Sequence, residues 1–338
     1  MKEAMFWKQA GDDKVLCELC PRSCVLSDGE FGECGARKAE GGKLFTANWS
    51  NVVSLAVDPI EKKPLFHFWP GSRVLSIALP GCNLHCKFCQ NWQISQERPE
   101  PDAETEPEEI VELAVKNFKC QGIAYTYSEP TVFYEFAYET AKLAKERGLY
   151  NVWVSNGMMN PEPIRKICKV IDAVNIDLKA FRDDFYKGVC GGTGLQPVLN
   201  AIKEFHKNKV WMELTTLIIP GLNDNENEIR QMVDWIADLD KGIPLHLSRF
   251  HPDYKMKYLK PTPEDTLEKI AGIAKSRLDH VYIGNVLNST WENTYCANCG
   301  TLLLWRRGYV LAKNEIREDG TCPKCGCKAP IIGNIIKA

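Results

Sequence analysis

The chain has 338 residues, 44% hydrophobic and 25% charged, with a formal net charge of −2. This is the composition of an ordinary globular protein, which excludes a disordered or fibrous one, and the near-neutral charge without a polybasic block removes any general attraction to nucleic acid or an anionic membrane surface. No apolar run approaches the length of a membrane span and residues 1–16 lack the apolar core of a secretory leader, so a cytoplasmic protein is expected.

In chain order, residues 1–45 read as loop-rich and carry Cys17, Cys20, Cys24 and Cys34. Short β-branched runs then alternate with helical patterns. Strands are expected at 74–79, 122–127, 151–154, 173–178, 210–218 and 245–248, with a last edge strand at 281–283. Helices are expected at 107–118, opened by Pro107, and at 131–147, ended by Gly148. Further helices are expected at 161–170, 196–207, 226–239 and 263–278. The acidic, proline-bearing stretch 96–109 reads as a solvated connection. Beyond about residue 290 the chain is again loop-rich, with paired cysteines. Six strand-then-helix units argue for an α/β fold, a partial (β/α)6 TIM-like barrel over 46–290. Small cysteine-rich metal-binding modules flank it at 1–45 and 291–338. Ligands in such folds sit at the carboxyl ends of the strands, so chemistry is sought there.

The 15 cysteines are the anomaly. In a chain with no secretory signal, cysteines at gaps of two and three residues read as metal ligands rather than disulfides. Eleven fall into three groups, the middle one being Cys82, Cys86 and Cys89, directly after the first expected strand. Outside the groups, Cys120 and Cys168 read as small core residues and Cys327 as a spare beside its knuckle. Cys190, in a glycine-rich stretch, has only a weak claim to face a cavity. Three thiolates at C-x3-C-x2-C spacing can hold three irons of a [4Fe–4S] cubane, leaving the fourth iron without a protein ligand; a zinc knuckle completed by His85 or a distant residue is the alternative. A structural zinc site would take four ligands in two pairs, which this triplet lacks. The open iron can chelate S-adenosylmethionine. Its reductive cleavage gives methionine and a 5′-deoxyadenosyl radical that abstracts hydrogen from a substrate.

The triplet, with Phe88 before its last cysteine and the six-unit pattern around it, resembles the radical S-adenosylmethionine superfamily, particularly pyruvate formate-lyase activating enzyme. The whole chain is similar to the AmmeMemoRadiSam system radical enzymes, through Cys17-Glu-Leu-Cys20-Pro-Arg-Ser-Cys24, Ser248-Arg-Phe-His251-Pro-Asp253-Tyr254 and the closing knuckles. The resemblance implies a protein or peptide substrate, with a small molecule left open. It also implies an electron donor such as ferredoxin or flavodoxin.

After the second strand, Ser128 and Glu129 match the superfamily segment that holds the cosubstrate's amino group, as a hydroxyl and a carboxylate can. They also suit a helix N-cap. Ser155 and Asn156, after the third strand, suit ribose hydroxyls or the methionine carboxylate, or simply a turn. On the fourth strand Asn175, Asp177 and Lys179 share one face by alternation, and three polar groups there imply an inward polar site. By resemblance Asp177 and Lys179 lie near cosubstrate and substrate; an internal ion pair is the alternative. Residues 218–224 resemble the adenine-contacting segment. His251, after the sixth strand, reads as a ribose contact or a proton-handling group.

Cys296, Cys299, Cys322 and Cys325 form matched knuckles for zinc or a single iron. Cys17, Cys20, Cys24 and Cys34 offer four ligands to zinc or an auxiliary iron–sulfur cluster; the uneven C-x2-C-x3-C opening leans toward a cluster. The reading is thus a radical S-adenosylmethionine oxidoreductase. Its rival is a non-catalytic iron–sulfur or zinc protein that carries electrons or binds a partner.

Overall fold

The computed structural model describes residues 1–11, 13–97, 99, 104–286 and 289–336; the connection expected at 96–109 lies partly outside them. The chain opens with six short strands: β1 (Lys2–Glu3), β2 (Trp7–Gln9), β3 (Lys14–Cys17), β4 (Val25–Ser27), β5 (Arg37–Glu40) and β6 (Lys43–Thr46). They pair antiparallel into two three-stranded sheets, ordered β1-β6-β5 and β2-β3-β4. The loop-rich reading of this segment is therefore corrected. Strands of two to four residues are too short to display an alternation of apolar and polar residues.

There follow β7 (Ser54–Pro59), β8 (Arg73–Ala78), α1 (Trp92–Ser95), α2 (Pro107–Glu112), β9 (Gly122–Tyr125), α3 (Tyr134–Glu146), β10 (Tyr150–Ser155) and α4 (Pro161–Ile167). Then come β11 (Ala173–Asp177), α5 (Asp183–Gly188), α6 (Gln196–Lys207), β12 (Trp211–Ile218), α7 (Glu226–Asp240), β13 (Leu245–Arg249), α8 (Glu264–Lys275) and β14 (Val281–Gly284). Among the described residues, β7 to β14 form one eight-stranded sheet whose strands lie side by side in chain order. From β8 to β14 every pairing is parallel, and β7 closes the β8 edge antiparallel. The expected α/β partial barrel is present, with three additions: β7, which is half exposed, the four-residue α1 and the six-residue α5.

Local chemistry explains the element ends. Pro107 opens α2 behind a capping box between Glu106 and Glu109, and Asn225 caps α7 by accepting from the amides of Asn227 and Glu228. Gly148, at φ 74°, takes the left-handed position that stops the helix before β10. The barrel strands are buried along nearly their whole length, as parallel strands covered by helices must be.

The C-terminal strands β15 (Thr294–Tyr295), β16 (Leu302–Arg307) and β17 (Val310–Asn314) make a separate antiparallel sheet. Buried Arg306 docks it on the barrel. Its Nη2 donates to Phe66 O at 2.6 Å and its Nε lies 3.7 Å from Glu61 Oε1, while Nη1 is held within its own sheet by Thr294 Oγ1 at 2.8 Å. Arg306 is thereby spent on docking and presents no basic face. Among the described residues no helix is long and apolar enough to cross a membrane.

Candidate active site

The ends of the parallel strands surround a cavity of about 300 Å³. Cys82, Cys86 and Cys89 line it from the loop after β8. Ser128 and Glu129 reach it from the end of β9, Ser155 and Asn156 from β10, and Asp177 and Lys179 from β11. Thr215 and Leu217 of β12 and Ser248 of β13 complete that wall. This arrangement follows from the fold: side chains at the carboxyl ends of adjacent parallel strands converge on one mouth.

The cysteine loop is gripped from several sides. The amides of His85 and Lys87 donate to Cys190 O and Val189 O at 2.8 and 3.1 Å, tying it to the end of α5. Donors are aimed at the sulfurs: Leu84 N–H and Asn156 Nδ2 reach Cys82 Sγ at 3.3 and 3.6 Å, and Ser95 Oγ lies 3.3 Å from Cys89 Sγ. Burial pushes the Cys82 thiol well above its ordinary value. A hydrogen bond from the buried Cys190 thiol lowers Cys86. Phe88 packs on Phe185 with ring centres 6.1 Å apart.

Glu129 is the hub behind the triplet. Its Oε1 accepts from Thr131 N–H, Thr131 Oγ1 and Ser155 Oγ at 3.0, 2.6 and 2.7 Å, and its Oε2 accepts from Asn156 N–H at 2.8 Å. Burial raises the carboxyl above its usual range, and those donors only partly offset it. A carboxylate offers about four acceptor positions, so three donors on one oxygen and one on the other leave Oε2 a lone pair. Ser128 Oγ donates to Leu79 O at 2.6 Å.

Lys179 Nζ donates to Asp177 Oδ2 at 2.7 Å and stands 5.8 Å from the centre of the Phe88 ring. Burial alone would lower this lysine, but the Asp177 carboxylate beside it holds it well above its ordinary value. Asn175 lies deeper, donating to Pro64 O at 2.8 Å and accepting from Thr215 at 2.9 Å. His251 is not brought to the site. It is exposed beyond β13, where buried Phe250 turns the chain outward, and it is absent from the cavity lining; Ser248 of the same strand is the residue that reaches it.

Lining residues to which the sequence reading gave no role include Lys62, Lys63, Tyr127 and Asn91. Lys62 and Lys63 follow the unforeseen β7, and both donate to Asp58 at 2.8 Å. Tyr127 also donates to Asp58, and Lys63 lies 4.2 Å from the centre of its ring. Burial brings Lys63 down to about 8 even with Asp58 opposing. Asn91 donates to Tyr127 O at 2.8 Å. The only signal for the lysines was the Glu61-Lys62-Lys63-Pro64 run, which nothing in the pattern tied to the barrel mouth.

The C-terminal cysteines come together: the ligand atoms of Cys296, Cys299, Cys322 and Cys325 all lie within 4.8 Å of one another, with Cys296–Cys325 and Cys299–Cys322 at 3.6 Å. Gly300 and Gly326, at φ 70° and 75°, close the two knuckles by donating to Cys296 O and Cys322 O. The set matches a tetrahedral thiolate site for zinc or one iron.

A partial (β/α) barrel with an incomplete cysteine set at its carboxyl mouth defines a cofactor-dependent enzyme whose metal keeps an open position. The comparisons specify the class. The Radical SAM superfamily profile matches residues 76–236. An uncharacterized protein of Methanocaldococcus jannaschii is 47% identical over 339 residues, covering 98% of this chain and 100% of the relative. A putative glycyl-radical enzyme activating enzyme of the same organism is 28% identical over 234 residues, covering 66% of this chain and 93% of the relative. A radical SAM methyltransferase structure from Sphaerobacter thermophilus shares the fold, with a TM-score of 0.51 and 15% identity over 70% of this chain and 71% of that one. The chain belongs to the radical SAM superfamily and is a radical SAM enzyme similar to the activating enzymes of glycyl-radical proteins.

Membership brings a [4Fe–4S] cluster and S-adenosylmethionine. The residues fit both groups. Three cysteine sulfurs face one cavity with hydrogen-bond donors at two of them, and a buried carboxylate with a free lone pair stands beside them.

Proposed function

We propose that this enzyme abstracts a hydrogen atom from a protein or peptide substrate, in the manner of a glycyl-radical activase. The observation that carries the reading is the single cavity shared by Cys82, Cys86, Cys89, Glu129, Asn156, Asp177 and Lys179. When bound, S-adenosylmethionine and the cluster supply a 5′-deoxyadenosyl radical.

The chain's own residues do the rest. Cys82, Cys86 and Cys89 hold three irons. Glu129 offers its free Oε2 lone pair to the cosubstrate ammonium, a charge-assisted bond in a buried setting. Ser155 and Asn156, already held by Glu129, present hydroxyl and amide groups to the polar part of the cosubstrate. Asp177 keeps Lys179 cationic and aimed along the cavity wall, where it can donate to a substrate carbonyl next to the hydrogen removed. Ser248 occupies the wall of the cavity where His251 was expected. A substrate backbone carbonyl and a glycine Cα–H suit that pairing, and the activating-enzyme relative supports the class. A ferredoxin- or flavodoxin-type protein is the electron donor in this reading.

The test is anaerobic reconstitution followed by electron paramagnetic resonance with and without S-adenosylmethionine, and then incubation with protein from cells grown on deuterated glycine. The expected result is a cosubstrate-dependent spectral change and deuterium in the 5′-deoxyadenosine, both lost in Cys86→Ala. Deuterium supplied only by the low-mass fraction of the same cells would overturn the protein-substrate reading. An unchanged spectrum in cluster-loaded protein would favour an electron carrier.

A further inference from the structure

Beyond the catalytic site, Cys17, Cys20, Cys24 and Cys34 line a small void between β3, the turn before β5 and the catalytic loop. We infer that these four thiolates hold a second, polynuclear iron–sulfur cluster, a [4Fe–4S] centre, built against the loop that carries the catalytic one.

Spacing separates this from zinc. A tetrahedral site with metal–sulfur bonds of about 2.3 Å puts its sulfurs roughly 3.8 Å apart. The C-terminal quartet meets that geometry, with all ligand atoms inside 4.8 Å. Among the described residues neither the N-terminal quartet nor the Cys82–Cys86–Cys89 triplet contains three sulfurs that close together. A set wider than a mononuclear site suits a cubane, in which each thiolate binds a different iron. Gly32 packs beside two of the thiols: a Cβ there would sit 3.8 Å, an ordinary contact, from both Cys24 Sγ and Cys34 Sγ.

The surroundings suit an anionic cluster. Arg37 lines the void, is 1% exposed and donates to Cys17 Sγ at 3.8 Å. Its Nε is buried with no hydrogen-bond acceptor among the protein atoms. A buried orphan donor is costly unless something accepts from it, and sulfide-bearing metal supplies acceptors where a bare ring of thiols does not. The void also abuts the catalytic loop. Asn83, which follows Cys82, lines it, and Arg22 Nε donates to Asn83 O at 2.6 Å while its Nη2 donates to Gly191 O. A Cβ on Gly81 would meet Cys34 O at 2.7 Å. Gly81, at φ 109°, thus allows the residue before Cys82 to press on the backbone of Cys34. Two clusters so placed interact magnetically when both are reduced.

The experiment uses the full chain carrying Cys82→Ala, Cys86→Ala and Cys89→Ala, reconstituted anaerobically and assayed for acid-labile sulfide and zinc. Sulfide is the readout because a mononuclear metal in the C-terminal quartet contributes none. The triple variant is expected to keep about half the wild-type sulfide, roughly four atoms per chain, and to lose it when Cys20→Ala and Cys34→Ala are added. If the triple variant does not fold, wild type decides: about eight sulfides per chain and a broadened, interacting spectrum on reduction support the second cluster. About four sulfides in wild type, together with zinc retained by the N-terminal cysteines, overturn it. Because the triple variant cannot perform radical chemistry, its sulfide count is independent of whether the substrate reading holds.

Discussion

At the scale of single residues, Glu129 bears the heaviest electrostatic load. It is fully buried and ties the ends of β9 and β10 together through Thr131, Ser155 and Asn156. Four donors are too few to return its carboxyl to the ordinary range, so a cationic ligand at the free Oε2 position would complete its environment. Glu129→Gln keeps the volume, removes the charge and turns one acceptor into a donor facing Asn156 N–H. Loss of a hydrogen bond between charged groups costs about 1.5–3 kcal/mol. S-adenosylmethionine binding, followed by titrating its effect on the cluster spectrum, is therefore expected to weaken about ten- to a hundredfold at unchanged iron content. Unaltered affinity would show that Glu129 is only the strut joining the two strands. Arg37 and Glu135 form a comparable pair, each 1% exposed, joining residues too far apart in the chain for pattern reading to connect.

At the scale of elements, the floor of the barrel is held by a polar knot where β12, β13 and β14 begin. Glu213 accepts from His246 Nε2 at 2.7 Å, Trp211 Nε1 at 3.0 Å and the amides of Phe66 and His67 at 3.0 and 2.9 Å. Burial opposes its ionisation, but these partners, His246 foremost, hold it at about 2. His67 sits between Tyr282 OH at 2.6 Å and Pro330 O at 2.8 Å, with the His280 ring 4.5 Å away. Burial lowers His67 to about 3 and His280 to about 4. All three shifts act in one direction. The unfolded chain protonates the histidines below about 6.5 and Glu213 below about 4.5, while the fold resists both. Stability is therefore full above pH 6.5 and falls on acidification, by up to ~1.4 kcal/mol per pH unit for each group titrating. Denaturation midpoints compared between about pH 7.5 and 5.5, with iron content followed, should drop in wild type and drop less in His67→Phe. Equal slopes would remove His67 from the account.

This knot also marks where pattern reading stopped. The parallel strands β8 to β14 were legible because they are continuous apolar runs buried on both faces, and most of the helices between them because they carry capping residues or proline starts. The half-exposed edge strand β7 and the short α5 have neither signal, so Lys62, Lys63 and the grip of Cys190 on the catalytic loop went unseen. His251 was drawn toward the site by its place after a strand, but its neighbour Phe250 fills the core and sends it outward. Glu213 and His246 read as ordinary strand residues because their pairing across β12 and β13 exists only once the sheet has formed.

At the scale of the whole molecule, two cysteine-bearing appendages grip opposite ends of one barrel. The N-terminal sheets reach the catalytic mouth through Arg22 and Cys34, whereas the C-terminal sheet plugs the floor through Arg306. The C-terminal unit has a core of its own built from little more than Cys296, Leu303, Cys322 and Ala329, too few apolar groups to fold unaided. A metal held by its four cysteines would therefore supply folding free energy locally. Cys299→Ser with Cys322→Ser should release this sheet, expose the segment after β14 to limited proteolysis and free Arg306 from Phe66 O. The cavity at the opposite mouth should keep its cluster and its response to S-adenosylmethionine, because none of its lining residues belongs to the C-terminal sheet. If the double variant instead loses the catalytic spectrum at intact cluster content, the floor and the mouth are coupled through the strands. The path would then run from Arg306 and Phe66 through Glu213 on β12 to Thr215, the lining residue two positions further along the same strand.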